Sequence, residues 1–287
     1  MHKNRTESPD HCMKNIINHT KVKQSFVYPD LTDDHYRFGS GLLVGEELRS
    51  NGDWRDYLPP EEDQNKRGVE SSACFIEGQQ HAIAIIEEEQ LGEPNNNYSS
   101  RFNAKLSKGT AQGGNPITGA DSIRHDGLVR DNSMPFSEDI QSWEDFHSWK
   151  GVNEQTVKIE GQNYLKKKSL GFDVVVERTQ PIATKYLKMK QALKFSPLPA
   201  SVSAWYEQDG IYVKPKGLRD NHLATIVYID EQNRPYFWDT YAPYLKIGEP
   251  SYNVDFAMRW SVSRKQTTQV FDWNTFFQAL FDRNKKW

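Results

Sequence analysis

The run from Ala73 to Glu87, which reads Ala-Cys-Phe-Ile-Glu-Gly-Gln-Gln-His-Ala-Ile-Ala-Ile-Ile-Glu, constrains this chain more than any other stretch. It has helix length, Ser71 or Ser72 offers an N-cap, and Gly92 and Pro94 supply the stop. The run predicts a largely buried helix that the rest of the fold must enclose. Its densest apolar part, Ala82 to Ile86, falls far short of the roughly 20 residues that span a bilayer, so no membrane helix is expected. Enclosing it is within reach of 287 residues, a length that suits two domains or one two-lobed unit. Aromatics at 12%, with 8 Trp, supply the large side chains for that core. With 36 Lys and Arg against 39 Asp and Glu, the formal charge of −3 leaves no basic excess to neutralise a phosphate backbone, so nucleic acid is not an expected partner. The 2 cysteines, Cys12 and Cys74, cannot form a disulfide framework, which points to a reducing compartment or a particle assembled in one.

Around this helix the chain divides by composition. Residues 1–50 read as a leader or arm: polar to about Lys23, without the apolar centre of a secretory signal, then aromatic but aperiodic loop from Gln24 to Leu58. Residues 51–145 read as a helical lobe holding the buried helix, an Asn-, Ser- and Gly-rich stretch from Asn95 to Gly119 with a short turn near Arg101 to Leu106, and a short helix near Ala120 to Leu128. Residues 146–287 read as a β-rich lobe with strands at Ala200 to Trp205, Ile211 to Val213, Leu223 to Ile229 and Tyr236 to Trp238, and a C-terminal helix from Asn274 to Trp287. The segment Asp230 to Arg234 has the length and chemistry of a hairpin loop, so the strands on either side should pair.

Most lone cysteines are small buried hydrophobes. Cys74, however, falls in the first turn of the predicted helix, where unpaired backbone N–H groups and the positive dipole end favour a thiolate. A nucleophilic thiolate needs an imidazole. His81 stands seven residues on (81 − 74), about 10 Å up the same helix, and cannot reach it. His2, His11, His19, His35, His125 and His147 sit in loops or the leader without an obvious orienting partner. His222 opens the strand that leads into the hairpin, and Asp239 closes the returning strand, so both lie at the same end. That geometry lets the Asp239 carboxylate accept from one ring nitrogen and leaves the other to face a thiol; an ordinary hairpin-end ion pair is the bland alternative. Acyl transfer also needs oxyanion donors, for which the Cys74 backbone N–H and the Gln64 amide are candidates, although Gln64 is equally well an idle loop residue.

These residues resemble the papain family of cysteine peptidases. Asp53, Trp54, Arg55 and then Asp63 and Gln64 look like that family's Asp-Trp-Arg segment and its oxyanion glutamine, and Ser72 to Phe75 like its nucleophile context. Gly113 to Pro116 resemble the glycine pair that binds substrate backbone, and Asn221 with His222 the start of the histidine hairpin. The separation of Cys74 from His222, 148 residues (222 − 74), falls in the roughly 130 to 150 typical of the family. The resemblance implies a two-lobed papain-like α+β fold, with a helical lobe carrying the nucleophile and an antiparallel sheet or barrel lobe carrying the histidine. It implies catalysis by Cys74, His222 and Asp239, an oxyanion site at Gln64, and substrate binding at Gly113, Gly114 and Tyr241. It further implies an extended polypeptide substrate and no cofactor or metal. Residues 1–50 would then be an arm or a short propeptide. The stretches from Gln64 to Gly68 and from Ala192 to Pro197 look more like a bacteriophage and bacterial branch, with a cytoplasmic or virion-associated location.

Three departures stand out. Gln64 lies further ahead of Cys74 than in the family, Asp239 stands where the family has Asn, and Tyr241 where it has the tryptophan that shields the ion pair. The alternatives are a papain fold kept as a non-catalytic virion or scaffold protein, and a cell-wall endopeptidase or transglutaminase-like thiol enzyme, whose histidine generally lies much nearer the cysteine. No paired Cys/His spacing suits structural zinc.

Overall fold

The computed structural model of the chain describes residues 17–18, 26–31, 37–40, 45–94 and 96–265. The expected C-terminal helix and most of the leader lie outside the described residues. The architecture is α+β. After β1 (Ile17–Asn18), a two-residue hairpin, β2 (Asn65–Lys66) and β3 (Val69–Glu70), turns through Arg67 and Gly68, both with positive φ as such tight turns demand. It delivers the chain to α1 (Cys74–Leu91), in which every residue from Cys74 to Glu87 is buried. The cap is not the expected one: Ser72 sits at φ 55°, the helix is capped at Ala73, and the Ser71 hydroxyl accepts from the Ala73 N–H. Gly92, in the left-handed region, ends the helix as expected.

Enclosed this thoroughly, several polar side chains of the helix find internal partners. Gln79 Nε2 donates to the Pro116 carbonyl at 2.9 Å and Gln80 Nε2 to that of Ser99 at 3.1 Å. Glu87 accepts from Asn96, Tyr98 and Tyr164. The enclosing helices are α2 (Ser100–Leu106), α3 (Pro116–Asp126), the short α4 (Trp143–Phe146) and α5 (Glu154–Lys167). Asn115 caps α3 by accepting from the Ile117 N–H, with Pro116 at the position where its missing donor costs nothing. Among the described residues, no helix is long and apolar enough to cross a membrane.

The remaining strands run from β4 (Lys168–Val176), before α6 (Ile182–Ala192), through β5 (Leu198–Val202), β6 (Tyr206–Gln208), β7 (Ile211–Val213), β8 (His222–Ile229), β9 (Pro235–Trp238) and β10 (Leu245–Ile247) to β11 (Ala257–Arg264). Six of them form one antiparallel sheet in the order β10-β9-β8-β5-β11-β4, and β6 and β7 pair beside β1. The expected hairpin is present: Ile229 opposes Pro235 and Thr225 opposes Trp238. One buried cluster fills the sheet side around Trp54, Trp205, Phe237 and Tyr252, and a second joins α1 to β8 and β11 around Ile83, Leu223, Phe256 and Trp260. Trp54 donates its indole N–H to the carbonyl of Leu193 at the end of α6 at 2.7 Å and its backbone N–H to the carbonyl of Val227 in β8 at 3.0 Å.

Candidate active site

Two elements meet at the site. α1 presents Cys74 as its first residue, and β8 presents His222 as its first residue; both side chains are fully buried. His222 Nε2 is 2.5 Å from Asp239 Oδ1. The other ring nitrogen, Nδ1, has no oxygen or nitrogen partner among the described residues, and Cys74 is near enough to the ring to help hold it charged. Burial opposes charge on this ring, but Asp239 and Cys74 outweigh it and raise the His222 pKa to about 10, so the ring is cationic at neutral pH. Trp205 stands edge-on to the ring at 6.2 Å and Tyr241 tilts over it at 5.4 Å, keeping water from the pair.

Asp239 is held from both sides. Its Oδ1 faces His222, while Oδ2 accepts from the Trp205 indole at 2.7 Å and lies 2.8 Å from the Lys246 ammonium. Burial favours the neutral acid, yet His222 and Lys246 together keep the carboxyl well below the usual carboxylate range. The sequence did not mark Trp205 or Lys246, since each is a single residue in a short strand or loop with no motif around it.

The sequence-expected residues otherwise fall as follows. Gln64 is buried beside Tyr241 and Thr240: its Nε2 donates to Glu70 Oε1 at 2.6 Å and to the Tyr241 hydroxyl at 2.7 Å, and its Oε1 accepts from Thr240 at 2.7 Å. Both amide hydrogens are therefore committed in this state, and an oxyanion could draw on Gln64 only by displacing one partner. The Tyr241 hydroxyl in turn donates to Glu70 Oε2 at 2.6 Å, closing a ring of Gln64, Glu70 and Tyr241 that sequence reasoning missed. Gly113 sits at φ 92° and exchanges backbone hydrogen bonds with Thr110. Gly114 lies so close to the Phe75 ring that a Cβ would fall 2.4 Å from it, and its carbonyl accepts from the Val27 N–H at 3.1 Å.

The other described histidines take no part; His2, His11, His19 and His35 lie outside the described residues. His81 is buried with neither ring nitrogen bonded among the described residues, and burial lowers its pKa to about 4, so it is a neutral core residue. His147 stacks on Trp143 and pairs Nε2 with the Ser71 carbonyl at 3.0 Å; His125 is exposed. Among the described residues, no group of three His, Cys, Asp or Glu side chains is placed to hold a metal ion.

No family model matches the chain, and no curated protein matches it by sequence. Solved structures do. The digestive procathepsin L 3 of the Tenebrio molitor larval midgut superposes with a TM-score of 0.55 at 13% identity, over 79% of this chain and 73% of that one. Xylellain, a cysteine protease from Xylella fastidiosa, gives 0.54 at 16% identity over 85% and 96%. The bromelain protease of Ananas comosus gives 0.51 at 16% over 73% and 97%. The chain has the two-lobed α+β fold of the papain-like cysteine proteases.

Proposed function

We propose that this protein is a cysteine peptidase that cleaves peptide bonds in extended polypeptides. The observation that carries the reading is the meeting of Cys74 and His222 from separate elements, with Asp239 behind the ring. In this reading the Cys74 thiolate forms a bond to the scissile carbonyl carbon, and the displaced electron pair becomes an oxyanion near the α1 N-terminus. Collapse breaks the C–N bond as His222 delivers its proton to the leaving nitrogen. Water, deprotonated by the now neutral His222, then splits the thioester and restores thiolate and imidazolium. The parallel bridge between Phe26 and Gly114 supports the strand-like binding mode, since the glycine edge already takes an extended segment of the chain itself. The segments from Gln64 to Gly68 and from Ala192 to Pro197 support placing the protein in a bacteriophage or bacterial branch, which mass spectrometry of purified particles would test.

The direct test is covalent labelling with an epoxide or chloromethyl ketone. One adduct on Cys74, with peptide hydrolysis lost in Cys74→Ala, is the expected result. A folded protein that is not labelled, and a Cys74→Ala variant that behaves as wild type, would overturn the reading in favour of a papain fold kept for binding.

A further inference from the structure

Behind Asp239 lies a buried cation that the hydrolysis scheme does not call for. Lys246 is the central residue of β10 and the only one of its three residues that is buried, at 2% exposure. Its ammonium has three N–H donors and three oxygens around it: Asp239 Oδ2 at 2.8 Å, the Pro243 carbonyl at 2.6 Å and the Tyr241 carbonyl. The rings of Trp205 and Tyr212 flank it at 5.3 and 5.7 Å. Taking an ammonium out of water costs several kcal/mol unless a counter-charge and hydrogen bonds offset it. Here the counter-charge is the carboxylate whose other oxygen orients His222.

We propose that Lys246 is a positioning residue that balances the charge of Asp239, so that the carboxylate aligns the His222 ring without holding its proton too tightly for transfer to the leaving amine. A bare carboxylate 2.5 Å from an imidazolium in a site closed to water stabilises that cation strongly. The stronger that hold, the poorer the imidazolium is as a general acid. With Lys246 on Oδ2, His222 faces a neutral ion pair rather than a full negative charge, and Oδ1 remains free to direct the ring. Two of the three ammonium bonds also anchor the loop that carries Tyr241 over the pair. The proton-transfer step rests on the peptidase reading, whereas the charge balance is a property of the resting protein and is measurable without turnover.

The other titratable groups near the pair are Cys74 and His81 from α1, Tyr212 from β7, Asp63 ahead of the first hairpin, and Tyr241 with Glu70 behind it. All are unchanged in the variants that follow, so differences among them report the Asp239–Lys246 pair. His222 is titrated by NMR of ring-labelled protein in wild type, Lys246→Met, Asp239→Asn and the double variant, alongside kcat on matched amide and ester substrates. Lys246→Met should raise the His222 pKa by about one unit or more. It should also lower kcat on the amide about tenfold, with a smaller loss on the ester, whose leaving group needs less proton donation. Asp239→Asn should shift the titration the opposite way, because it leaves a cation without its partner near the ring, and the double variant should fall between the two. If Lys246→Met does not fold, removal of Lys246 in the Asp239→Asn background must still raise the His222 pKa. Unchanged titration on removing Lys246 in either background would overturn the proposal and leave the side chain as packing. If wild type cleaves no peptide, the peptidase reading falls while the titration still decides the role of Lys246.

Discussion

The Val27 N–H donates to the Gly114 carbonyl at 3.1 Å, and Phe26, 3% exposed, seats its ring 6.4 Å from that of Phe256 in the cluster that also holds Ile117 and Leu223. Phe26 and Val27 thus cover the backbone edge that, in the proposed reading, an extended substrate would use. Replacing Phe26 with Ala removes most of a buried aromatic, and replacing Val27 with Pro removes the donor. Either change should lower KM for a peptide substrate about tenfold or more, on the scale of one hydrogen bond and part of a buried ring, with kcat little altered. Steady-state kinetics of the two variants decide this; an unchanged KM would mean that substrate does not compete with the arm.

The His222–Asp239 pair sets how stability depends on pH. The folded His222 pKa of about 10 lies above the ordinary value of 6.5, so the charged ring contributes stability that is complete below the unfolded value and is lost as pH rises through about 10. Asp239 behaves in the opposite sense. Its carboxyl is held below the usual range, so its contribution is present above about pH 4 and is lost as pH falls through the depressed folded value. Calorimetry across pH should therefore show Tm roughly level from about pH 4 to 6.5, falling progressively from there towards pH 10 and falling again below about pH 4. Asp239→Asn should lower the plateau and move the alkaline fall to lower pH.

What the sequence made legible was whatever a local pattern encodes. The apolar run of α1 and the turn chemistry from Asp230 to Arg234 predicted elements that the structure contains, and with them the placement of Cys74, His222 and Asp239. What escaped were elements whose buried polar residues find partners far along the chain. β4 and β11 carry Asp173 and Arg259, opposed in register and joined at 3.0 Å, so each strand taken alone has a charge where a core residue belongs. α6 buries Lys185, which donates to Asn253 and to the Val254 carbonyl. α5 buries only Val157 and Gly161, too narrow a stripe to stand out. Lys246 and Glu70 belong to the same class, since their meaning lies entirely in remote partners.

Arg101 offers a test of how such remote satisfaction holds the helical lobe. It is 1% exposed and, among the described residues, no carboxylate bonds its guanidinium, which instead donates to the carbonyls of Pro135, Asp145, Phe146, Ser148 and Lys150. Burial lowers its pKa to about 10, so it remains charged at neutral pH. Arg101→Met leaves these carbonyls without their donor and should cost about 3 kcal/mol or more, a drop in Tm of roughly 5–10 °C. Labelling of Cys74 well below Tm should be unaffected, which separates a loss of lobe stability from damage to the site.

Gln64 and Tyr241 give opposite expectations for neighbouring changes. The Gln64 amide spends both hydrogens on Glu70 and Tyr241, so serving a developing oxyanion requires one of those bonds to break. If it is the Tyr241 bond, Tyr241→Phe releases one hydrogen in advance and should raise kcat a few-fold, while costing about 1–2 kcal/mol of stability because Glu70 Oε2 loses its donor. Gln64→Ala should lower kcat by about 10²–10³ with KM little changed, the mark of an interaction made in the transition state. Parallel kinetics and thermal melts on the two variants separate the cases: a Gln64→Ala enzyme with undiminished kcat would assign oxyanion stabilisation to the α1 N-terminus alone, and would leave the ring of Gln64, Glu70 and Tyr241 as a clasp holding Tyr241 over the His222 imidazole.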